Sequence, residues 1–160
     1  MHRVEQFFGH LTARVDADEL ALAERILPAS AWPLFVAMPV ADRRHALDVA
    51  QRLMAARIDD SDLLCAALLH DAGKGRRLRL WHRVIGVLLE ALAPRLLARL
   101  AGGDLSERNP YYLHMHHADL SAEAALRAGC SQRTAAFIRG RPSSADADLA
   151  AALHEADEAS

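Results

Sequence analysis

His70 and Asp71 stand side by side at the end of the apolar run Leu63 to Leu69, and Lys74 follows across a small-residue turn, Ala72-Gly73. An imidazole next to a carboxylate is costly to bury unless something binds the pair, and the usual binder is a metal ion. Lys74 is the only lysine of the chain; the other 18 of its 19 basic residues are arginine. A composition that replaces lysine almost everywhere keeps it directly after the His-Asp pair.

Two further groups of ligand type fall on apolar helical stripes. His45, Val49, Leu53 and Ala56 recur at spacings of four, four and three, so His45 shares a face with core residues. Leu63, Ala66, Ala67 and His70 make a second stripe, and Leu149, Leu153 and Asp157 a third. Three helices thus each direct a titratable group at the interior. Any one histidine alone reads equally well as a hydrogen-bonded core residue. Four buried polar groups left unmatched would together cost several kcal/mol, which favours a shared ligand. Asp71 is expected at a helix C-terminus, where the dipole disfavours its ionised form unless a cation offsets it.

The elements that must position these groups read as helices throughout, with Pro and Gly between them. The pattern predicts helices over Met1 to about Val15, from a cap at Asp16 or Asp18 to Leu27, from Pro28 through Phe35, and from Asp42 to about Ala56. A fifth runs from Asp62 to Asp71, with Asp59, Asp60 and Ser61 as cap candidates. Arg79 to Leu92 and Pro94 to Leu100 follow. After a loop from Gly102 to Pro110 come about Tyr111 to Ala128 (with a possible break near Ala118), Ser131 to Arg139, and Ser144 to Ala159. No alternating strand pattern, repeat or low-complexity linker is present, so the expected fold is an all-α, single-domain helical bundle over residues 1–160.

Bulk properties agree. The chain has 160 residues, 52 % hydrophobic and 5 % aromatic, and is rich in Ala, Leu and Arg, which favours helix over sheet. A formal net charge of -2 gives no basic field to attract nucleic acid. No apolar run reaches the roughly 18 residues of a membrane span, and no signal-peptide pattern opens the chain, so the expectation is a cytoplasmic protein with neither a membrane nor a nucleic-acid partner. Cys65 and Cys130 are too few, and too far apart in sequence, for a disulfide scaffold or zinc ribbon, and Cys65 reads as a small core residue.

The order His45, then His70-Asp71, then a distant Asp157 resembles the HD superfamily of metal-dependent phosphohydrolases. Asp42 to Ala50 is similar to its first-histidine helix, Leu63 to Lys74 to its central helix with an HD-x-G-K form, and Ala156-Asp157-Glu158 to its closing aspartate segment. The resemblance covers roughly Leu34 to Ala159, leaving residues 1–33 as N-terminal helices packed on the HD domain of about 34–159. It implies one divalent metal held by His45, His70, Asp71 and Asp157. Lysine after HD-x-G resembles the branch that includes HD-GYP cyclic-dinucleotide phosphodiesterases, where it lies by the substrate phosphate; this implies the same role for Lys74.

Two imidazoles and two carboxylates make a mixed site suited to Mn, Fe, Co, Ni or Zn. The implied reaction is hydrolysis of a phosphate mono- or diester, in a nucleotide or other small phosphorylated metabolite, by a metal-activated water. Asp71 would ligate and orient that water, and Lys74 would add a charge at the phosphate.

His114, His116 and His117 form a second concentration of imidazoles. His117 falls where the HD-GYP pattern places a histidine serving a second metal, which makes it a candidate acid, base or phosphate contact. The further histidines of that pattern would fall near Phe137 to Arg141, where this chain has none, and the Gly-Tyr-Pro motif is absent. One metal is therefore expected. His114 and His116 read as packing or surface residues, with His114 the better neighbour for the site. Arg79 or Arg83, in the basic stretch after Lys74, is a candidate contact for an anionic ligand. His2, His10, His82 and His154 read as ordinary surface residues, and Trp32 and Trp81 as core or interface anchors. The competing reading is an HD-type regulatory module that binds metal or nucleotide with little or no turnover. Hydrolysis of guanosine tetra- or pentaphosphate is a weaker third reading, because the acidic residues expected shortly after the HD pair are replaced by Ala72-Gly73-Lys74-Gly75.

Overall fold

The computed structural model describes residues 14–74, 89, 92–102 and 109–160, without the side chains of Pro110 and His114. Expectations for residues 1–13, 75–88, 90–91 and 103–108, among them His2, His10, Arg76, Arg77, Arg79, Trp81, His82 and Arg83, lie outside the described residues. The architecture is an all-α bundle, and no strand occurs among the described residues.

Helix α1 (Ala17–Ile26) opens on a capping box, in which Asp16 accepts from the Glu19 amide and Glu19 from the Asp16 amide. Arg14 and Val15 lie outside any helix. Helix α2 (Trp32–Ala37) starts later than expected. The Pro28 carbonyl accepts from the amides of Ala31 and Trp32 in a preceding turn, and Pro33 takes an early helical position where its missing N–H costs nothing. Helix α3 (Val40–Ala55) carries His45. Helix α4 (Ser61–Leu69) is capped by the Asp60 carboxylate, which accepts from the Leu63 amide.

Helix α4 is the centre of the bundle. Every residue from Leu63 to Leu69 is buried, and the helix packs against α1, α2 and α3 and against three later helices: α6 (Pro110–Arg127), α7 (Gln132–Ile138) and α8 (Ala147–Glu158). A helix apolar on all sides has no other stable place. Helix α5 (Pro94–Gly102) packs on α6, and short 3-10 turns at Ala72–Lys74 and Ser144–Asp146 complete the set. The expected break near Ala118 does not occur; α6 is continuous.

Two arginine clasps set the spacing between helices. Arg133 of α7 reaches Asp60 at 2.7 Å, Asp62 at 3.3 Å and Asp146 at 2.8 Å, and lies over the Phe137 ring at 5.1 Å. It thereby ties the start of α4 to α7 and to the turn before α8. Arg44 of α3 binds Glu19 of α1 and, at 2.8 Å, Asp48. Cys65 and Cys130 are both buried and free, but their sulfurs are only 3.6 Å apart. Distance along the chain was a poor guide to their distance in space.

Leu47 is fully buried on α3 while Leu96 on α5 is 47 % exposed. Leu47→Ala is expected to cost about 2–5 kcal/mol of unfolding free energy by denaturant titration, against less than about 0.5 kcal/mol for Leu96→Ala. Equal effects at the two positions would contradict this assignment of the core.

Candidate metal centre

The three inward stripes converge. His45 from α3, His70 from the end of α4 and Asp157 from α8 each offer one donor atom, and all three atoms lie within 4.8 Å of one another. His45 Nε2 is 2.8 Å from Asp157 Oδ1, and His70 Nε2 is 3.4 Å from the same oxygen. The two imidazoles meet edge to face at 5.3 Å.

The tautomer of His70 is set from behind. Its Nδ1 lies 2.9 Å from the Ala67 carbonyl, which can only accept, so Nδ1 carries a proton and Nε2 faces the site. Nε2 meets two carboxylate oxygens there, Asp157 Oδ1 at 3.4 Å and Asp71 Oδ1 at 3.7 Å. A lone pair pointed at two anionic oxygens is repulsive, so the position calls for a positive charge, either a proton on Nε2 or a cation among the three groups.

Asp71 stands at the edge of this cluster rather than inside the three-residue group. Helix α4 ends at Leu69, with His70 as its C-cap, so Asp71 lies in the following turn and not on the helix as the apolar periodicity predicts. Its carboxylate is 3 % exposed and is bound by Lys74, whose Nζ lies 2.6 Å from it and donates to Oδ2. Oδ1, the oxygen nearer His70, is buried and lies 2.6 Å from the same ammonium nitrogen, so Lys74 pairs with both oxygens of the carboxylate. Two imidazoles and a carboxylate that converge beside this ion pair make a mixed nitrogen and oxygen donor set, which fits a divalent cation. His45, His70 and Asp157 would hold such an ion, with Asp71 as a fourth donor through oxygen.

The turn carrying Asp71 and Lys74 is clamped by α6. The Gly73 amide donates to Ser121 Oγ at 2.8 Å, and Ser121 is fully buried. A Cβ on Gly73 would lie 2.5 Å from the Ser121 amide nitrogen and 2.7 Å from the His117 carbonyl oxygen. Close approach of backbone to backbone therefore requires glycine here. Ser121, buried and polar, went unnoticed in the sequence; only its place one helical turn after His117 hinted at its role. The same contact brings His117 near the site, where its charge helps to hold Asp71 ionised.

Burial pushes the carboxyls of Asp71 and Asp157 up, but neighbouring groups outweigh it. His70 and Lys74 hold Asp71 well below the usual carboxylate range, and hydrogen bonds from His45 and His70 do the same for Asp157. Burial pulls His70 down, yet Asp71 and Asp157 leave its pKa raised overall.

Other expected residues stay outside. His116 stacks on Tyr112 at 4.4 Å, and His154 is exposed beside Glu158. Trp32 stacks on Phe35 in the core. Where the two-metal pattern would place histidines, Arg139 lies 3.4 Å and Arg141 3.9 Å from Asp119 of α6. No protein-family model, curated protein or solved structure matches the chain.

Two outcomes are expected. Gly73→Ala should lower stability by about 1–3 kcal/mol through overpacking, and metal binding should weaken with it; unchanged melting would remove the clamp from this account. The pH dependence has a defined sign. Stability from the raised His70 is complete below its unfolded value near 6.5 and is lost as pH rises through the folded one. Stability from the depressed Asp71 and Asp157 is present above about 3.9 and is lost as pH falls toward their folded values. Metal-free protein should thus melt highest between roughly pH 4 and 6.5, and the rise in Tm from a divalent cation should grow as pH climbs through the raised folded value of His70 and its proton leaves. A Tm at pH 8 indifferent to EDTA and to Mn, Fe, Co, Ni and Zn would count against the site.

Proposed function

We propose that the chain is an HD-type metal-dependent phosphohydrolase acting on a phosphate mono- or diester of a nucleotide or other small metabolite, with one divalent metal ion. The observation that carries this reading is the convergence of His45, His70 and Asp157, from three helices, beside the buried Asp71–Lys74 pair. The chemistry that such an ion supplies when bound is acidification of a water and polarisation of a phosphoryl oxygen.

The chain's own residues supply the rest. Ala67 holds His70 in the tautomer that presents Nε2. Asp71 would orient that water and keeps Lys74 at the edge of the site. The Lys74 ammonium, 20 % exposed, offers a phosphate a point charge from a rigid turn. His117, on the helix that clamps this turn, is the residue we assign to exchange a proton with substrate or leaving group.

One observation favours a second reading, a regulatory module that binds metal or nucleotide without turnover. Lys74 is already engaged by Asp71, so the ammonium is partly neutralised before any phosphate arrives.

Metal analysis of purified protein, coupled to a phosphatase and phosphodiesterase panel with Mn, Fe, Co, Ni and Zn, separates the two. The expected result is about one metal per chain, lost in His45→Ala and Asp157→Ala. Lys74→Ala should keep the metal while turnover falls roughly 10²-fold. Stoichiometric metal without hydrolysis favours the regulatory module; absence of metal binding overturns the hydrolase and the metal-binding form of the module.

A further inference from the structure

We infer that Cys65 and Cys130 form an intramolecular disulfide site, oxidised by a small-molecule disulfide of the glutathione type, that staples α4 to the turn between α6 and α7. They are the only cysteines of the chain. The fold brings their sulfurs to 3.6 Å across 65 positions of sequence, and a bond needs a separation of about 2.05 Å.

Both partners sit on ordered backbone. Cys65 lies in the middle of α4 with buried residues on each side. Cys130 follows Gly129, whose φ of 85° ends α6, and its amide donates to the Ala125 carbonyl at 3.0 Å. Ser131, immediately after, caps α7. The contact is therefore part of two defined helix ends and not a chance meeting of loops. Cys130 is itself 8 % exposed, but exposed Gly129 and Ser131 flank it, whereas no exposed residue adjoins Cys65. The outer sulfur is the one a reagent reaches first.

The chemistry balances in two exchanges. The Cys130 thiolate attacks the reagent disulfide RSSR, forming a Cys130–SR bond and releasing RS⁻, which takes up a proton. The Cys65 thiolate then attacks Cys130 Sγ, forming the Cys65–Cys130 bond and releasing the second RS⁻. The protein loses two electrons and two protons, and RSSR becomes two RSH. Burial, with Asp62 close by, keeps both sulfurs as thiols, so the first exchange is slow and the second, at contact distance, is fast. Accumulation of a mixed disulfide is then not expected.

The test uses the whole folded chain, incubated with glutathione disulfide and analysed by intact mass, thiol counting and peptide mapping. The expected product is a monomer that has lost both thiols, yields a linked Cys65–Cys130 peptide and melts roughly 5–15 °C higher, reversibly with a reductant. Cys65→Ala, a small change within a helix, should instead stop at a stable glutathione adduct on Cys130. The proposal is overturned if the wild type accumulates that adduct, forms disulfide-linked dimers, or reacts only when unfolded. None of these results depends on the metal centre, so the two readings fail independently.

Discussion

An ionised carboxylate in the middle of a helical bundle is the constraint around which this structure is arranged. Asp71 is 3 % exposed, and a charge so placed is tolerated only with partners of opposite sign. Lys74 answers one side of it. With both imidazoles neutral, Asp71 and Asp157 still give two negative charges against one positive, a surplus of one. Protonation of His70 cancels that surplus, and a divalent cation overcompensates it by one. A proton and the proposed metal ion would therefore compete for the same space.

What holds the competing groups in place is mostly remote from them. Helix α4 has buried neighbours on all sides, so His70 has little freedom once that helix is packed. The Arg133 clasp ties the start of α4 to α7 and to the turn leading into α8, and so also bears on where Asp157 arrives. The backbone contact at Gly73 sets the depth of the Asp71 turn against α6. Each device is ordinary taken alone. Together they let three separate helices present donor atoms within a few ångströms, a precision that flexible surface loops would not supply.

Helical periodicity carried most of this information. The stripes through His45, His70 and Asp157 face a common interior because spacings of three and four define a face before any tertiary contact exists. Capping chemistry was legible for the same local reason at Asp16 and Asp60, two of the cap candidates, which accept from the amides expected of caps. Periodicity failed where the backbone stops being helical. It carried the central helix to Asp71, although the chain leaves the helix at His70 to pass beneath α6, an event decided by a glycine whose partner lies 48 residues away. The Cys65–Cys130 contact was hidden for a related reason, since distance along a chain says little about distance within a bundle.

Burial also grades the site from inside to outside. The Asp71 side chain is 3 % exposed, His70 16 %, His45 21 % and Asp157 41 %. Solvent therefore meets Asp157 and His45 before it meets His70, and Asp71 last. Such a gradient gives the groups different tasks. The outer carboxylate can exchange partners with water at small cost, whereas the inner one cannot, because each unmatched state leaves a charge without solvation. Asp71 must keep a cationic neighbour at all times, and a lysine three residues on provides it. The same chain elsewhere uses arginine, whose planar fork would engage both oxygens of a carboxylate at once. The Lys74 ammonium, 2.6 Å from either oxygen, does so as a compact point charge, so the chain's lone lysine is the cation that holds Asp71 ionised from within one short turn.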